Sequence, residues 1–211
     1  VDPHNNESGA AAATSMNVQI GNSLVMETPS GETIPDLAKD WERVDDTTFV
    51  FQIRKGVKFH PPYNRELTAQ DIVDNFHLIL DPDYNGWGHS QFADILTGDG
   101  INPKETVKAT GEYEVTFNLA TAFRPFLHKL GRISGFGWLN IIPPEAYQKH
   151  GKDFGTFDVG AWGTGPFKWN TDKSEQGSRY VFDKFEDYFK TDDAGNQVPY
   201  LDRVVYQVVP K

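Results

Sequence analysis

Phe49, Phe51 and Ile53 occupy alternate positions, and this period of two predicts a strand over 49–54 with one buried face. Before it, 34–42 reads as a short amphipathic turn containing Leu37, Ala38 and Trp41. Asp45-Asp46-Thr47-Thr48 reads as a tight turn whose acids serve the backbone. After it, Lys55-Gly56-Val57-Lys58-Phe59 predicts a second strand bent at its glycine. From Thr68 the period lengthens to that of a helix. Ile72, Val73, Phe76, Ile79 and Leu80 share one face, Asp71 completes an acidic capping box with Thr68, and Asp81-Pro82 stops the helix. The stretch 34–71 organises the chain, and nothing in it points to catalysis.

The flanking segments give shorter signals. Ala10 to Ala13 running into Val18 and Ile20 predicts a helix starting near Asn6 or Ser8, with a flexible expression remnant as the competing reading. Residues 24–28 predict a strand closed by the Pro29-Ser30-Gly31 turn. Residues 84–90 predict an aromatic, glycine-loosened loop, followed by a short helix through Phe92, Ile95 and Leu96. Trp87 in that loop either faces a ligand or caps the core. Val115, Phe117 and Leu119 predict one arm of a hairpin over 107–119. Short helices are expected over 125–130 and 145–150, with an irregular approach over 131–137. Gly163-Thr164-Gly165-Pro166 predicts a rigid turn feeding a strand, and a second strand is expected over 179–182. Asp192 to Asn196 predicts a hairpin turn. The strongest strand pattern, Arg203 to Val209, stands at the chain's end, which leads us to expect a fragment of a longer protein.

Composition narrows the functional classes. Twenty basic against thirty acidic residues give a formal charge of -10, which disfavours nucleic acid and anionic membrane surfaces. The chain has no cysteine, which removes disulfide scaffolds, iron–sulfur centres and thiolate zinc sites. No apolar run approaches the roughly 20 residues needed to cross a bilayer. At 211 residues the chain forms one large domain or two small ones, and its glycine, proline and aromatic content favours a strand-rich mixed fold.

The motifs that resemble chemical sites fail on spacing. The six histidines never stand two or four residues apart, so no metal site is expected; Asp74 and His77 share a helix face and read as a surface pair. Gly163-Thr164-Gly165 is not a phosphate loop, because Pro166 and a strand follow where a helix N-terminus is needed. Asp192 to Asn196 lacks the glycine and glutamate positions of a calcium loop. Neither a Gly-x-Ser-x-Gly elbow nor a cysteine nucleophile occurs. Tryptophans 87, 138, 162 and 169 beside glycine-rich loops suit a binding cleft.

Taken in order, several of these pieces form a pattern. Asp2-Pro3, Leu24-Val25, Pro35-Asp36-Leu37-Ala38 with Trp41, Phe51-x-Ile53-Arg54-Lys55-Gly56-Val57-Lys58-Phe59, Leu67-Thr68-Ala69-x-Asp71, Gly163-Thr164-Gly165-Pro166-Phe167 and Pro199-Tyr200-Leu201-Asp202 follow one another along the chain. The set resembles the extracellular solute-binding proteins of the oligopeptide, dipeptide and nickel class, family 5, which serve ABC importers. The chain departs from the family in the turn His60-Pro61-Pro62-Tyr63-Asn64-Arg65, where an Asp-Gly is usual.

The resemblance implies a mixed α/β fold: an incomplete periplasmic-binding-protein-like lobe of type II with an extra β-rich domain. The lobe would comprise 1–24 and 144–211, the β-rich domain 25–143, and the opposing lobe would lie outside this sequence. Ligand-facing positions carried over are Glu7, Ser8 and Gly9, together with Trp87, Gly137 and Trp138. Backbone groups at Ser8 and Gly9 can pair with an extended peptide, Glu7 can meet an ammonium, and the indoles can line a side-chain pocket. The implied partners are a small solute (oligopeptide, oligosaccharide or metal chelate) and a membrane permease, in the periplasm or on the cell surface, with no cofactor, no catalysis and no membrane insertion. The competing reading is a secreted glycan-active enzyme using an Asp/Glu pair. A sensor sharing the binding fold is a third.

Overall fold

A computed structural model describes residues 11–83, 87–98, 100–134 and 139–209. Helix α1 (Ala11–Ile20) forms from the alanine-rich run and leads into a two-stranded ribbon, β1 (Val25–Glu27) and β2 (Thr33–Pro35). Strands β3 (Ala38–Arg43) and β4 (Thr48–Ile53) follow as a hairpin. Asp45 closes that hairpin as expected, its Oδ1 accepting from the backbone N–H of Thr47 at 2.8 Å and of Thr48 at 2.7 Å. With β5 (Val107–Gly111) and β6 (Glu114–Asn118), the hairpin builds an antiparallel sheet ordered β3-β4-β6-β5. Phe49, Phe51 and Ile53 are all buried on one face of it. Burial of such side chains contributes about 1.5–3 kcal/mol each.

Helix α2 (Ala69–Ile79) lies on β5 and β6, burying Ile72, Val73, Phe76 and Ile79. Its start is organised by Asp71, whose Oδ2 accepts from the Thr68 backbone N–H at 2.8 Å and the Thr68 hydroxyl at 3.2 Å. Helices α3 (Trp87–Leu96), α4 (Pro103–Thr106) and α5 (Phe126–Ser134) complete this part, α5 packing on β1. Helix α6 (Pro144–His150) then leads to β7 (Phe167–Glu175), β8 (Arg179–Lys184) and β9 (Arg203–Gln207), a second antiparallel sheet in sequential order.

Two apolar clusters result. One runs from Leu24 to Ile141 and centres on the phenylalanines 49, 51, 76, 92, 117 and 126. The other joins Met16 and Ile20 of α1 to Ile142, Ala146, Phe154, Phe167 and Phe182. Tyr63 touches both, its ring meeting Trp162 edge-on at 5.6 Å.

Five local expectations are corrected. The stretch 34–42 is mostly strand and not an amphipathic turn: it holds the end of β2 and most of β3 on either side of a bend at 36–37, because β2 pairs with β1 and Ala38–Arg43 with β4. Residues 55–59 form no strand. Gly56 turns at φ +75, and the segment instead pairs across its own loop, through Leu67 N–H to Val57 O at 2.7 Å and Phe59 N–H to Arg65 O at 3.0 Å. Trp87 opens a helix rather than sitting in a loop, and 131–134 continue α5. His77 bonds the Val107 carbonyl at 3.0 Å, while Asp74 accepts from Gln70, so the two do not pair with each other.

Candidate functional site

Of the residues carried over as ligand contacts, Glu7, Ser8, Gly9, Gly137 and Trp138 lie outside the described residues, and so does the side chain of Trp87. The described residues contain a polar seam where the two apolar clusters meet. It surrounds a cavity of about 150 Å3 whose lining includes Asn22, Asp36, Asn140, Tyr188 and Lys190. The five groups arrive from four segments of the chain. Asn22 follows α1, Asp36 follows β2, Asn140 precedes α6, and Tyr188 and Lys190 lie between β8 and β9.

Asp36 is the hub. Only 1% exposed, its carboxylate receives Lys190 Nζ at 2.5 Å, Asn22 Nδ2 at 3.0 Å and the Ser23 backbone N–H at 2.9 Å. Burial pulls the Lys190 pKa down, but the adjacent Asp36 carboxylate and Tyr188 outweigh it and leave the ammonium above its ordinary value. Burial raises the Tyr188 phenol, which accepts from Asn22 Nδ2 at 3.3 Å. Thr164 donates to Asn22 Oδ1 at 3.2 Å, and Ser23 donates to Asn140 Oδ1 at 3.2 Å. This is a satisfied network of the kind that holds segments in a single arrangement.

The Gly163-Thr164-Gly165 turn is held from both sides. Gly165 N–H donates to Ile20 O at 2.8 Å, which seats the turn on the end of α1. Opposite, the fully buried His60 donates its backbone N–H to Gly163 O at 2.8 Å and places Nε2 at 2.9 Å from Gly165 O. A carbonyl can only accept, so Nε2 carries the proton and Nδ1 faces the Gly163 N–H at 3.4 Å. Burial, assisted by the Lys168 charge, lowers the His60 pKa to about 4 despite the favourable bond to Gly165.

The unfolded chain therefore takes up this proton near pH 6.5 and the folded one only near 4. Stability contributed by neutral His60 is complete above about pH 6.5 and is lost as pH falls to about 4. The expected size is about 3 kcal/mol across that window. His60→Gln keeps a donor but cannot titrate. Urea unfolding at pH 4.5 and 7.5 should therefore show a smaller pH difference in the variant than in the wild type; equal differences would remove His60 as the cause.

Arg65 supplies a second tie. Its guanidinium forks onto Asp71 at 2.7 and 2.9 Å and onto Glu145 at 2.6 and 2.6 Å, while stacking over Phe59 at 4.8 Å. It thereby joins the start of α2 to the first turn of α6. The hydrogen bonds from Arg65 hold the Glu145 carboxyl below its usual range, and Glu145 in turn raises the Arg65 pKa.

Two other cavities, of about 250 and 280 Å3, open beside α2 and α6 and along β7 and β8. The first is lined by Asp74, His77 and Tyr147 among others, the second by Lys168, Trp169 and Asp183. Among the described residues no three His, Asp or Glu side chains converge as a metal site. The Asp192 turn is a hairpin turn, as expected, bridged by Thr191 and Gln197 and tied by Asp192 Oδ1 to Ala194 and Asn196 N–H. A glycosidase needs a carboxylic acid raised in pKa. Each described carboxylate with a shift, namely Asp45, Glu66, Glu114, Glu145, Asp183 and Asp192, is lowered instead. The glycan-active reading finds no support here.

Sequence reasoning passed over Asp36, Lys190, His60 and Arg65. Asp36 stands within the Pro35-Asp36-Leu37-Ala38 motif, but Lys190 lies far away in the chain and no local pattern pairs the two. His60 and Arg65 flank the proline turn in which the chain departs from the family pattern, and that departure was the available signal.

Comparison with known proteins places this architecture. The oligopeptide-binding protein AppA of Bacillus subtilis, solved with a nonapeptide, superposes with a TM-score of 0.76 at 26% identity, over 99% of this chain and 37% of that one. The fold is therefore the mixed α/β arrangement of periplasmic binding proteins of type II, and the class is that of solute-binding proteins. More narrowly, residues 32–211 match the model for bacterial extracellular solute-binding proteins, family 5, and the chain belongs to that family. It is 30% identical over 203 residues to the heme-binding protein A of Haemophilus influenzae, covering 91% of this chain and 35% of the relative. It is likewise 30% identical over 191 residues to the dipeptide-binding protein of Escherichia coli, covering 85% and 33%. The chain spans about a third of the length of these curated relatives.

Proposed function

We propose that this chain is part of the solute-binding component of an ABC importer, which captures a peptide-like or other small solute outside the membrane and delivers it to the permease without chemical change. The family match across residues 32–211 carries this reading. Peptides lead among the solute classes because relatives named for dipeptides, oligopeptides and di/tripeptides recur beside those named for nickel and heme. A periplasmic or surface-anchored location accords with the family description and with the nickel-binding relative, whose name says periplasmic. Among the described residues no helix is long and apolar enough to cross a membrane.

Residues 1–24 with 144–211 form one lobe in this reading, and 25–143 a separate β-rich domain. The separation of the two apolar clusters near Leu24 and Ile142 supports the division. Glu7, Ser8, Gly9, Trp87, Gly137 and Trp138 are the proposed ligand contacts. One supporting feature is that the segment after Trp138 is fastened beside α1, with Ile141 N–H donating to Asn22 O at 2.8 Å and Asn140 Nδ2 to Asn17 O at 2.7 Å.

Calorimetry and thermal shift of the full-length protein against di- to nonapeptides, nickel chelates, heme and oligosaccharides test the proposal. Saturable binding of a peptide is expected, with stabilisation of about 2.7 kcal/mol at a hundredfold excess over Kd. Trp138→Ala should weaken that binding by roughly tenfold, the worth of about 1.4 kcal/mol of lost ring contact. Binding to none of the panel would end the proposal, and binding to nickel or heme alone would reassign the solute.

A further inference from the structure

Asn17, near the end of α1, is 1% exposed. Its backbone carbonyl is well used, accepting from Gly21 N–H at 3.1 Å and from Asn140 Nδ2. Its side chain is not: among the described residues neither Oδ1 nor Nδ2 meets a hydrogen-bonding group. Buried amides are almost always paired, because leaving one unpaired forfeits its hydration with nothing in return.

Beside this amide is a cavity of about 10 Å3 whose walls include Asn17, Gly21, Asn140, Trp162 and Gly163. That volume is about the minimum for one water and too small for any organic group. The wall is also of the wrong chemistry for a cation, since no carboxylate lines it. It is not purely apolar either, as the dry cavities of protein cores are. Asn17 offers one donor pair and one acceptor to this space, while the Gly21 N–H is already given to Asn17 O and the Gly163 peptide groups to His60.

We propose that this cavity binds one ordered water held by the Asn17 side-chain amide. The water joins α1 to the segment around Asn140 and to the one entering the Gly163-Thr164-Gly165 turn. Gly21 and Asn140 also line the 150 Å3 cavity of the polar seam, so the water sits directly behind that seam. It completes the hydrogen bonding of a junction that protein groups alone leave unfinished.

The test is a high-resolution crystal structure of the full-length protein, joined with nuclear Overhauser transfer between water and the Asn17 side-chain amide. A water within about 3.2 Å of that amide, with a persistent transfer signal, is expected. In Asn17→Leu, which fills similar volume without polar atoms, both should be lost. A dry cavity in the wild type, or an Asn17 amide turned onto a protein group, overturns the proposal. So does a water that stays in place in Asn17→Leu. Should that variant fail to fold, the wild-type density and transfer signal decide alone.

Discussion

Gly165→Ala is expected to destabilise the folded protein by about 3 kcal/mol or more, the upper range for forcing extra volume into a packed site. A Cβ at this position would lie 2.4 Å from the Ile20 carbonyl carbon, 2.5 Å from Gly21 N and 2.6 Å from Gln19 O. All three are backbone atoms of the chain at the end of α1, which cannot swing aside as a side chain can. Relief requires the turn to move off the helix, and that breaks the bond from Gly165 N–H to Ile20 O and the contact of His60 with Gly165 O. Urea unfolding of the full-length variant measures the effect. A loss below about 0.5 kcal/mol would show that the turn is not seated as described.

Arg65→Ala is expected to cost about 2–3 kcal/mol. Breaking a buried pair typically costs about 3–5 kcal/mol, because the partner charge stays behind. Here the figure is reduced, since the Arg65 and Glu145 side chains are 38% and 39% exposed and water screens them. Asp71 is only 6% exposed and bears most of the loss. Arg65→Lys should recover part of it, because an ammonium keeps the charge but cannot fork onto two carboxylates. Adding Asp71→Asn to Arg65→Ala removes the stranded charge, so the two losses should fall short of adding by roughly 1 kcal/mol or more. Strict additivity in that cycle would mean that the two side chains do not act as a pair.

Much of the local structure was legible in advance. The alternation of Phe49, Phe51 and Ile53, the helical spacing of Ile72 to Ile79 and the Asp71 cap each reflect interactions within a few residues, and each appears as expected. The failures have a common cause. Ala38–Arg43 is a strand because β4 lies beside it, and 55–59 is not one because its carbonyls and N–H groups are taken by 65–67 across the proline turn. Which partner a segment meets is decided outside the segment, and pairing overrides propensity.

The candidate site was less legible. Asp36 reads in sequence as one residue of a motif, and Lys190 simply follows Tyr188 and Phe189 with nothing to single it out. Their contact exists because two loops, from different parts of the chain, meet beneath Asn22. His60 reads as a histidine without a metal partner, yet its role is to hold two glycine carbonyls in place.

The order of short motifs along 211 residues was enough by itself to indicate the family, because an ordered set is specific even where each member is weak. Periodicity likewise determined the main buried faces, since burial follows from the apolar pattern of a single element. The tertiary structure alone decided how the two apolar clusters are fastened. The seam of Asn22, Asp36, Tyr188 and Lys190, the seat of Gly165 on α1 and the reach of Arg65 from α2 to α6 are contacts between distant segments. Hydrogen bonds and charge pairs act only at contact distance, and no spacing in the chain reveals which distant groups will be brought within it.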